Sequence, residues 1–555
     1  MDKLPLFQKG HVGGIKFTGD DRNFPRLLFY SFILVVCLCF LVMIVRLFQL
    51  TIVKGSYYRE LSEQNRIREI IIEPRRGKII DRKGFVIAEN TLPNINDVKP
   101  DLSRLTSSRI YNNPEAVAHL IGYRQIADQN DLNNDNCLNK LIPGDKVGKK
   151  GIEKLFDCQL RGRPGKKLIE VDAKGKYLRT LSVVQPVDGQ TIQLSIDLDL
   201  QQKAYDLIKN KKAAIIGTNP QTGEVLLFVS SPSFNPQDFE NKNSEKITKY
   251  LTDKEKPLFN RITEATYPPG SLFKLVVATA ALEEKGIDEK TLVEDTGVLT
   301  AGPLKFGNWY FLQYGKTDGM VDIVKAIQRS NDIFFYKAGE SVGPDKLATW
   351  AERLGYGKTT GLGLDEAEGL IPSSFWKQET LHDRWYLGDT YNFSIGQGWA
   401  LVTPIQTAMA TSIFANSGLL CRPEFLKNPR PDCRKILISN KTVDLIRQGM
   451  KAACSTGGTG WPLFNFKAQT SKIKNNNESK NASPSAEMEI QTACKTGTAE
   501  SLSKETNPHA WFTVFTPYEK PEIVLSILIE EGGQGSDVGG PIAKEILKNY
   551  FERKE

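Results

Sequence analysis

The chain has 555 residues, 40% of them hydrophobic and 25% charged, with a net charge of +8. That length is too great for one compact domain and enough for two or three, each with its own core. The charge is spread along the chain, and short basic runs such as Lys209, Lys211 and Lys212 read as solvated helix faces, so composition gives no nucleic-acid partner.

The first element in chain order is an uncharged apolar run at 27–45, LLFYSFILVVCLCFLVMIV, bracketed by Arg26 and Arg46. At about 1.5 Å per residue it reaches roughly 28 Å, close to the ~30 Å hydrocarbon core of a bilayer. A cleaved signal peptide has a shorter apolar region, about 7 to 15 residues, ending in a small-x-small site that is not found here. The run therefore predicts an uncleaved transmembrane anchor over 27–50, behind a short tail at 1–26. Lys and Arg flank the run on both sides, from Lys3 to Arg26 before it and from Arg46 to Arg68 after it. Flanking charge thus leaves the orientation open.

Past the anchor, residues 51–188 alternate short apolar runs with Gly and charged turns, as in RRGKIIDRKGFVIAEN. That pattern predicts strands and hairpins in an elongated α+β module. From 189 to 555, strand-like runs (AAIIGT, EVLLFVSS) flank helical ones (SLFKLVVATAALEEKG, VDIVKAIQRSNDIFFYKAGESV). HAWFTVFTP and EIVLSILIEE read as adjacent strands, and GPIAKEILKNYFERK as a C-terminal helix. The stretch 469–488, rich in Asn, Ser and Lys, reads as a mobile surface insertion. Cys37 and Cys39 lie in the span. Cys137, Cys158, Cys421, Cys433, Cys454 and Cys494 form neither a CxxC pair nor a metal-ligand spacing, so the expectation is no disulfide and no metal. Cys421 and Cys433 alone are close enough in sequence to close a short loop.

The chemistry begins at EATYPPGSLFKLVVATAALEEKG. Pro268, Pro269 and Gly270 end what precedes them and let a helix start near Ser271, placing its hydroxyl at the positive end of the helix dipole. Lys274 lies three positions on, on the same face, and can bring its amine beside Ser271. Burial disfavours the ammonium form, so this lysine can serve as base toward a serine nucleophile. The bland reading is a lysine that snorkels to solvent.

Ser330-Asn331-Asp332 and Lys495-Thr496-Gly497-Thr498 follow downstream, completing the S-x-x-K, S-x-N/D and K-T-G trio shared by penicillin-binding proteins and class A β-lactamases. With PLFNR, YPPGSLFK, SIGQGWALVTPIQ, KTGTAE and HAWFTVFTP, the chain resembles the transpeptidase domain of class B penicillin-binding proteins. RRGKIIDRKGFVIAEN and GKKGIEKLFDCQLRGRPG resemble their pedestal, or dimerisation, domain. GIEKLFDCQLRG, SND and HAWF are more similar to the elongation subtype, penicillin-binding protein 2, than to the division subtype.

The resemblance implies an α+β fold whose catalytic antiparallel sheet is sandwiched by helices, and a serine-type D,D-transpeptidase that cross-links peptidoglycan stem peptides and is acylated by β-lactams. Ser271 would be the nucleophile and Lys274 its base, with Ser330, Asp332 and Lys495 completing the catalytic set. Thr496, Gly497 and Thr498 would bind substrate, and the backbone N–H groups of Ser271 and Thr498 would form the oxyanion hole. No cofactor is implied. The implied partners are D-Ala-D-Ala stem peptides, the membrane and a polytopic glycan-strand polymerase. The implied location is the cytoplasmic membrane, with the N-terminus inside and the catalytic domain outside.

Two features depart from the commonest pattern: Asp332 stands where many relatives have Asn, and the Asn-rich insertion precedes Lys495. Gly270, Gly497 and the Gly396-Gln397-Gly398 turn read as places of close backbone approach, and Trp399 and Trp511 as core. A hydrolase of the same fold and a non-enzymatic scaffold or β-lactam sensor are the alternatives. The first lacks an ExxLN-like segment for deacylation, and the second does not need the intact trio.

Overall fold

The computed structural model describes residues 26–91, 103–172, 174–469, 487–501 and 506–552. The tail expected at 1–26, except Arg26, and most of the insertion lie outside them. The described ends of that insertion are paired: Lys467–Gln469 runs antiparallel to Glu487–Glu489.

Helix α1 (Arg26–Phe48) presents exposed side chains from Leu27 onward. It is the one helix among the described residues long and apolar enough to cross a membrane, and it fits a single-pass anchor. The chain divides into two compact units. The first contains α1 and Lys166–Val184, an antiparallel ribbon running from Lys166 opposite Val184 to Val171 opposite Tyr177. Glu170 on this ribbon pairs with both Arg66 and Arg179.

The second unit holds the rest of the expected pedestal together with the catalytic fold. A small sheet orders Ile192–Gln193, Ile79–Ile80, Val86–Asn90 and Arg109–Tyr111 side by side. Beneath it is a buried ionic cluster. Glu153, with no exposed surface, accepts from Arg109 Nε at 2.8 Å and pairs with Arg76, which also reaches Asp157 at 2.7 Å. Glu240 takes Arg124 at 2.9 Å, Lys146 at 2.7 Å and the Arg109 backbone N–H at 3.0 Å. Breaking one partner of such a buried set costs about 3 to 5 kcal/mol, because the remaining charge is left uncompensated.

The catalytic fold is built on β1 (Ala213–Thr218), β2 (Val225–Ser231), β3 (Ala493–Ala499), β4 (His509–Thr516) and β5 (Ile523–Ile529), ordered β2-β1-β5-β4-β3 and antiparallel throughout. Ala214 and Ile216 pack into one core with Phe273, Val277 and Ile405, while Ala213 and Ile215 pack into the other with Leu200, Ile546 and Leu547. Helices therefore cover both faces, and the strands read as continuous apolar runs rather than alternating ones. The helices that matter for the site are α2 (Lys274–Glu283), α3 (Ile323–Arg329), α4 (Asp332–Val342) and α5 (Asn440–Ala453). The last helix, α6 (Gly535–Glu552), begins earlier than the sequence suggests. Its opening residues Gly535, Gly539 and Gly540 are poor helix formers but are buried against β4 and Pro462.

The expectation of no disulfide is wrong. Cys137 bonds Cys158, Cys421 bonds Cys433, and Cys454 bonds Cys494. Spacing in sequence left only Cys421 and Cys433 open as a pair, and the other two bridges depend on tertiary register. Cys421 and Cys433 are cross-strand partners in a short ladder, and Cys454 caps the end of α5 where it meets β3. Cys494, next to Lys495 on β3, is half of a bridge rather than a free thiol. Cys37 and Cys39 remain thiols.

Candidate active site

Pro269 leads into a 3-10 turn, Gly270–Leu272, that carries Ser271; the α-helix proper starts only at Lys274. Gly270 has φ +53°, and a Cβ there would lie 2.7 Å from the Thr498 carbonyl oxygen. On the other side, a Cβ on Gly396 would meet the Gly270 carbonyl at 2.3 Å. Only glycine at both positions lets the serine turn sit between β3 and the 396–398 turn.

Lys274 is fully buried on α2. Its Nζ donates to the Ser330 carbonyl at 2.7 Å, to Asp332 Oδ1 at 2.6 Å and to Ser330 Oγ at 3.2 Å. The sequence placed this amine beside Ser271, but no hydrogen bond joins the two among the described residues. In its neutral form Lys274 can keep its bonds to the Ser330 carbonyl and Asp332, leaving the lone pair free to accept a hydroxyl proton. Burial lowers its pKa, and the charge of Asp332 and its hydrogen bond oppose that shift.

Lys495 reaches the same serine from β3. Its Nζ donates to Ser330 Oγ at 2.8 Å and to the Thr496 carbonyl at 2.9 Å. Burial, reinforced by the neighbouring Lys274 charge, holds its pKa well below the ordinary lysine value. Ser330 Oγ therefore accepts from two amines, and its own proton is free for a third partner. Its backbone is left-handed, φ +53°, where α3 ends and α4 begins. For a residue other than glycine that costs of order 1 to 3 kcal/mol, offset by the surrounding bonds. Asn331 caps α4 by accepting from the Phe334 N–H at 3.0 Å, and Asp332 Oδ2 accepts from the Trp309 N–H at 2.8 Å.

β3 is the sheet's edge strand. The Thr498 carbonyl accepts from Gln397 Nε2 at 3.3 Å on the unpaired side. In an antiparallel ladder a residue's N–H and C=O point the same way, so the Thr498 N–H also faces the unpaired side. Thr496 is buried and donates its hydroxyl hydrogen to Thr459 Oγ1 at 2.8 Å, whereas the Thr498 side chain is exposed. Gly497 packs on Trp511, which is fully buried, and Trp399 lies half-buried between Trp376 and Trp385. Among the described residues no group of His, Cys, Asp and Glu is arranged to hold a metal ion.

Residues 213–548 match the penicillin-binding protein transpeptidase domain model, and 95–194 match the penicillin-binding protein dimerisation domain. The chain belongs to the class B penicillin-binding proteins. The peptidoglycan D,D-transpeptidase MrdA of Salmonella typhimurium is 28% identical over 97% of both chains. Penicillin-binding protein 2 of Pseudomonas aeruginosa, solved in complex with WCK 5153, is 30% identical, with a TM-score of 0.71 over 88% of this chain and 98% of that one. A chain from a peptidoglycan synthase complex that coordinates polymerization and crosslinking is 26% identical, with a TM-score of 0.72 over 95% of this chain and 99% of that one. This class B penicillin-binding protein is thus a peptidoglycan D,D-transpeptidase of the penicillin-binding protein 2 type.

Motif reading missed two residues whose side chains touch the Lys495–Thr498 strand or its continuation. Thr459 lies outside every quoted motif, and nothing in the sequence marks it. Gln397 stood inside a turn read only for its glycines, yet its side chain bridges the Thr498 carbonyl and the Glu500 N–H.

Proposed function

We propose that Ser271 is the acylated nucleophile of this transpeptidase and that Lys274 takes its proton. The observation that carries this reading is the Ser330 hydroxyl held between the Lys274 and Lys495 amines. Ser271 Oγ attacks the carbonyl of the penultimate D-alanine, and its proton passes to Lys274. The oxyanion is met by the N–H groups of Ser271 and Thr498, a kind of donor worth about 2.7 to 4 kcal/mol each. Ser330 then hands its proton to the departing D-alanine amine and is reprotonated through Lys274. In the second half the amine of another stem attacks the ester, and the same groups run in reverse. The Thr496-Gly497-Thr498 stretch binds the terminal carboxylate, Thr498 by its own hydroxyl and Thr496 through Thr459, which takes the Thr496 proton and turns its own toward the carboxylate.

The catalytic mass lies outside the cytoplasmic membrane with the N-terminus inside. Disulfides persist in oxidising compartments, and all three bridges lie beyond α1. The partner is a polytopic glycan-strand polymerase acting in cell-wall elongation. This rests on the likeness to the synthase-complex chain and on the match to the dimerisation domain.

Incubating the detergent-solubilised chain with a labelled penicillin and measuring intact mass tests the nucleophile. The expected result is one adduct, mapped to Ser271, that outlasts its formation many times over. Labelling at another residue refutes the assignment, and rapid release of hydrolysed penicillin identifies a hydrolase instead.

A further inference from the structure

The segment bearing Ser330 and Asp332 does not hold its own shape. Two asparagines, Asn331 inside that segment and Asn308 outside it, converge on one carboxylate that belongs to no motif, Asp295, at the end of the strand Val293–Asp295. Asp295 Oδ2 accepts from Asn308 Nδ2 at 2.7 Å, Asn331 Nδ2 at 2.9 Å and the Asp318 N–H at 2.8 Å, while Oδ1 accepts from the Gly297 N–H at 2.9 Å. Asp295, Asn308 and Asn331 are all buried. Each asparagine passes the constraint inward. Asn331 sits between Ser330 and Asp332 and caps α4, and Asn308 Oδ1 accepts from the Asp332 N–H at 3.2 Å. Asn331 also donates to Asp318 Oδ2 at 3.1 Å, and Asp318 is held in turn by Arg329 Nε at 2.9 Å.

We infer that Asp295 is a positioning residue for the transpeptidase reaction. Through Asn308 and Asn331 it fixes the left-handed Ser330 and the carboxylate of Asp332 against Lys274. The inference rests on the proposed roles of Lys274 and Ser330. A carboxylate suits the task because four donors converge on it and it has acceptor capacity for all of them. An amide in its place offers one oxygen, and its NH2 would face either the three donors at Oδ2 or the Gly297 N–H. Burial makes an unanswered donor expensive, so the asparagines would swing away and carry the 330–332 turn with them.

The consequence can be read at Lys274. The charged and titratable groups around that amine are Asp332 on α4 and Lys495 from β3, with Tyr336 behind Asp332. Around Asp295 they are Asp318 and, through it, Arg329 and Lys325. If Asp295 keeps Asp332 on Lys274, releasing Asp332 removes the interaction that favours the ammonium, and the base loses its proton at lower pH.

The test is the second-order rate of penicillin acylation against pH for the full chain and for Asp295→Asn, Asp332→Asn and the double variant. Asp295→Asn should lower the rate about a hundredfold, the usual cost of an ångström-scale misplacement, and move the acid limb to lower pH. In the Asp332→Asn background, Asp295→Asn should move that limb no further, because the two changes share one route. Should Asp295→Asn not fold, Asn308→Ala cuts the link to Asp332 alone and must give the same shift. An acid limb that stays in place in the folded variant, or shifts that add in the double variant, overturns the positioning role. Ser330→Ala separates the two readings. If it acylates at the unaltered rate, the underlying assignment of the turn fails and the proposal falls with it. If it is impaired while the Asp295 limb stays put, only the positioning role is lost.

Discussion

Asp332 is the residue at which two opposing effects on the base meet. Its Oδ1 lies 2.6 Å from Lys274 Nζ and its Oδ2 2.8 Å from the Trp309 N–H, so the carboxylate is pinned at both ends. Asp332→Asn keeps an amide oxygen that can accept from Lys274 but removes the charge that favours the ammonium. Acylation should survive within about tenfold, or roughly 1.4 kcal/mol, with its acid limb moved to lower pH. A pH profile of penicillin acylation for both forms checks it, and a limb moving to higher pH would contradict a neutral Lys274 base. Much at this scale was legible in the sequence: Ser271, Lys274, Ser330, Asp332 and the Lys495–Thr498 stretch do converge, because each motif sits on a local turn, helix or strand whose geometry follows from a few neighbours. Asp295, Thr459 and Gln397 were not legible. Each is a common residue type, and its role comes from what distant chain brings to it.

Among the elements, the pedestal portion that packs with the catalytic fold is tied to it by charge as well as by apolar contact. Arg109 and Arg124 come from the pedestal side, and Glu240 ends the short helix Pro236–Glu240 that follows β2. Burial opposes ionisation of Glu153, yet Arg109, Arg76 and Arg124 outweigh it and hold its pKa at about 2, below the ordinary 4.5. A depressed folded-state pKa means stability that is fully present above the unfolded value and lost as pH falls toward the folded one. The urea midpoint of the solubilised chain should therefore fall between pH 4.5 and pH 2. Glu153→Gln should lose about 3 to 5 kcal/mol at neutral pH and show a shallower slope through that window. An unchanged midpoint would remove this cluster from the stability of the fold. The sequence showed the strands of the small sheet through their hairpin pattern, but not the cluster, whose partners lie far apart along the chain.

For the whole molecule, the three bridges and the bare helix α1 together make a claim about compartment. Alkylation of the solubilised chain without reductant should modify only Cys37 and Cys39, whereas reduction should open all eight cysteines to the reagent. A reporter that works only outside the cytoplasm should be active when fused after Glu555. Modified bridge cysteines without reductant, or a silent reporter, would reverse the proposed orientation. The sheet order has a further consequence, one of timing. β1, at 213–218, is flanked by β2 and by β5 at 523–529, and β5 in turn carries β4 and the site strand β3. Ser271 leaves the ribosome early, but the strand opposite it has no place to dock until β5 has been made. A chain ending at Pro521 would carry every motif residue and still leave β3 and β4 severed from β1, so it should bind no penicillin on a labelled gel. If Ser271 is the nucleophile as proposed, its site is therefore incomplete until β5 has been made.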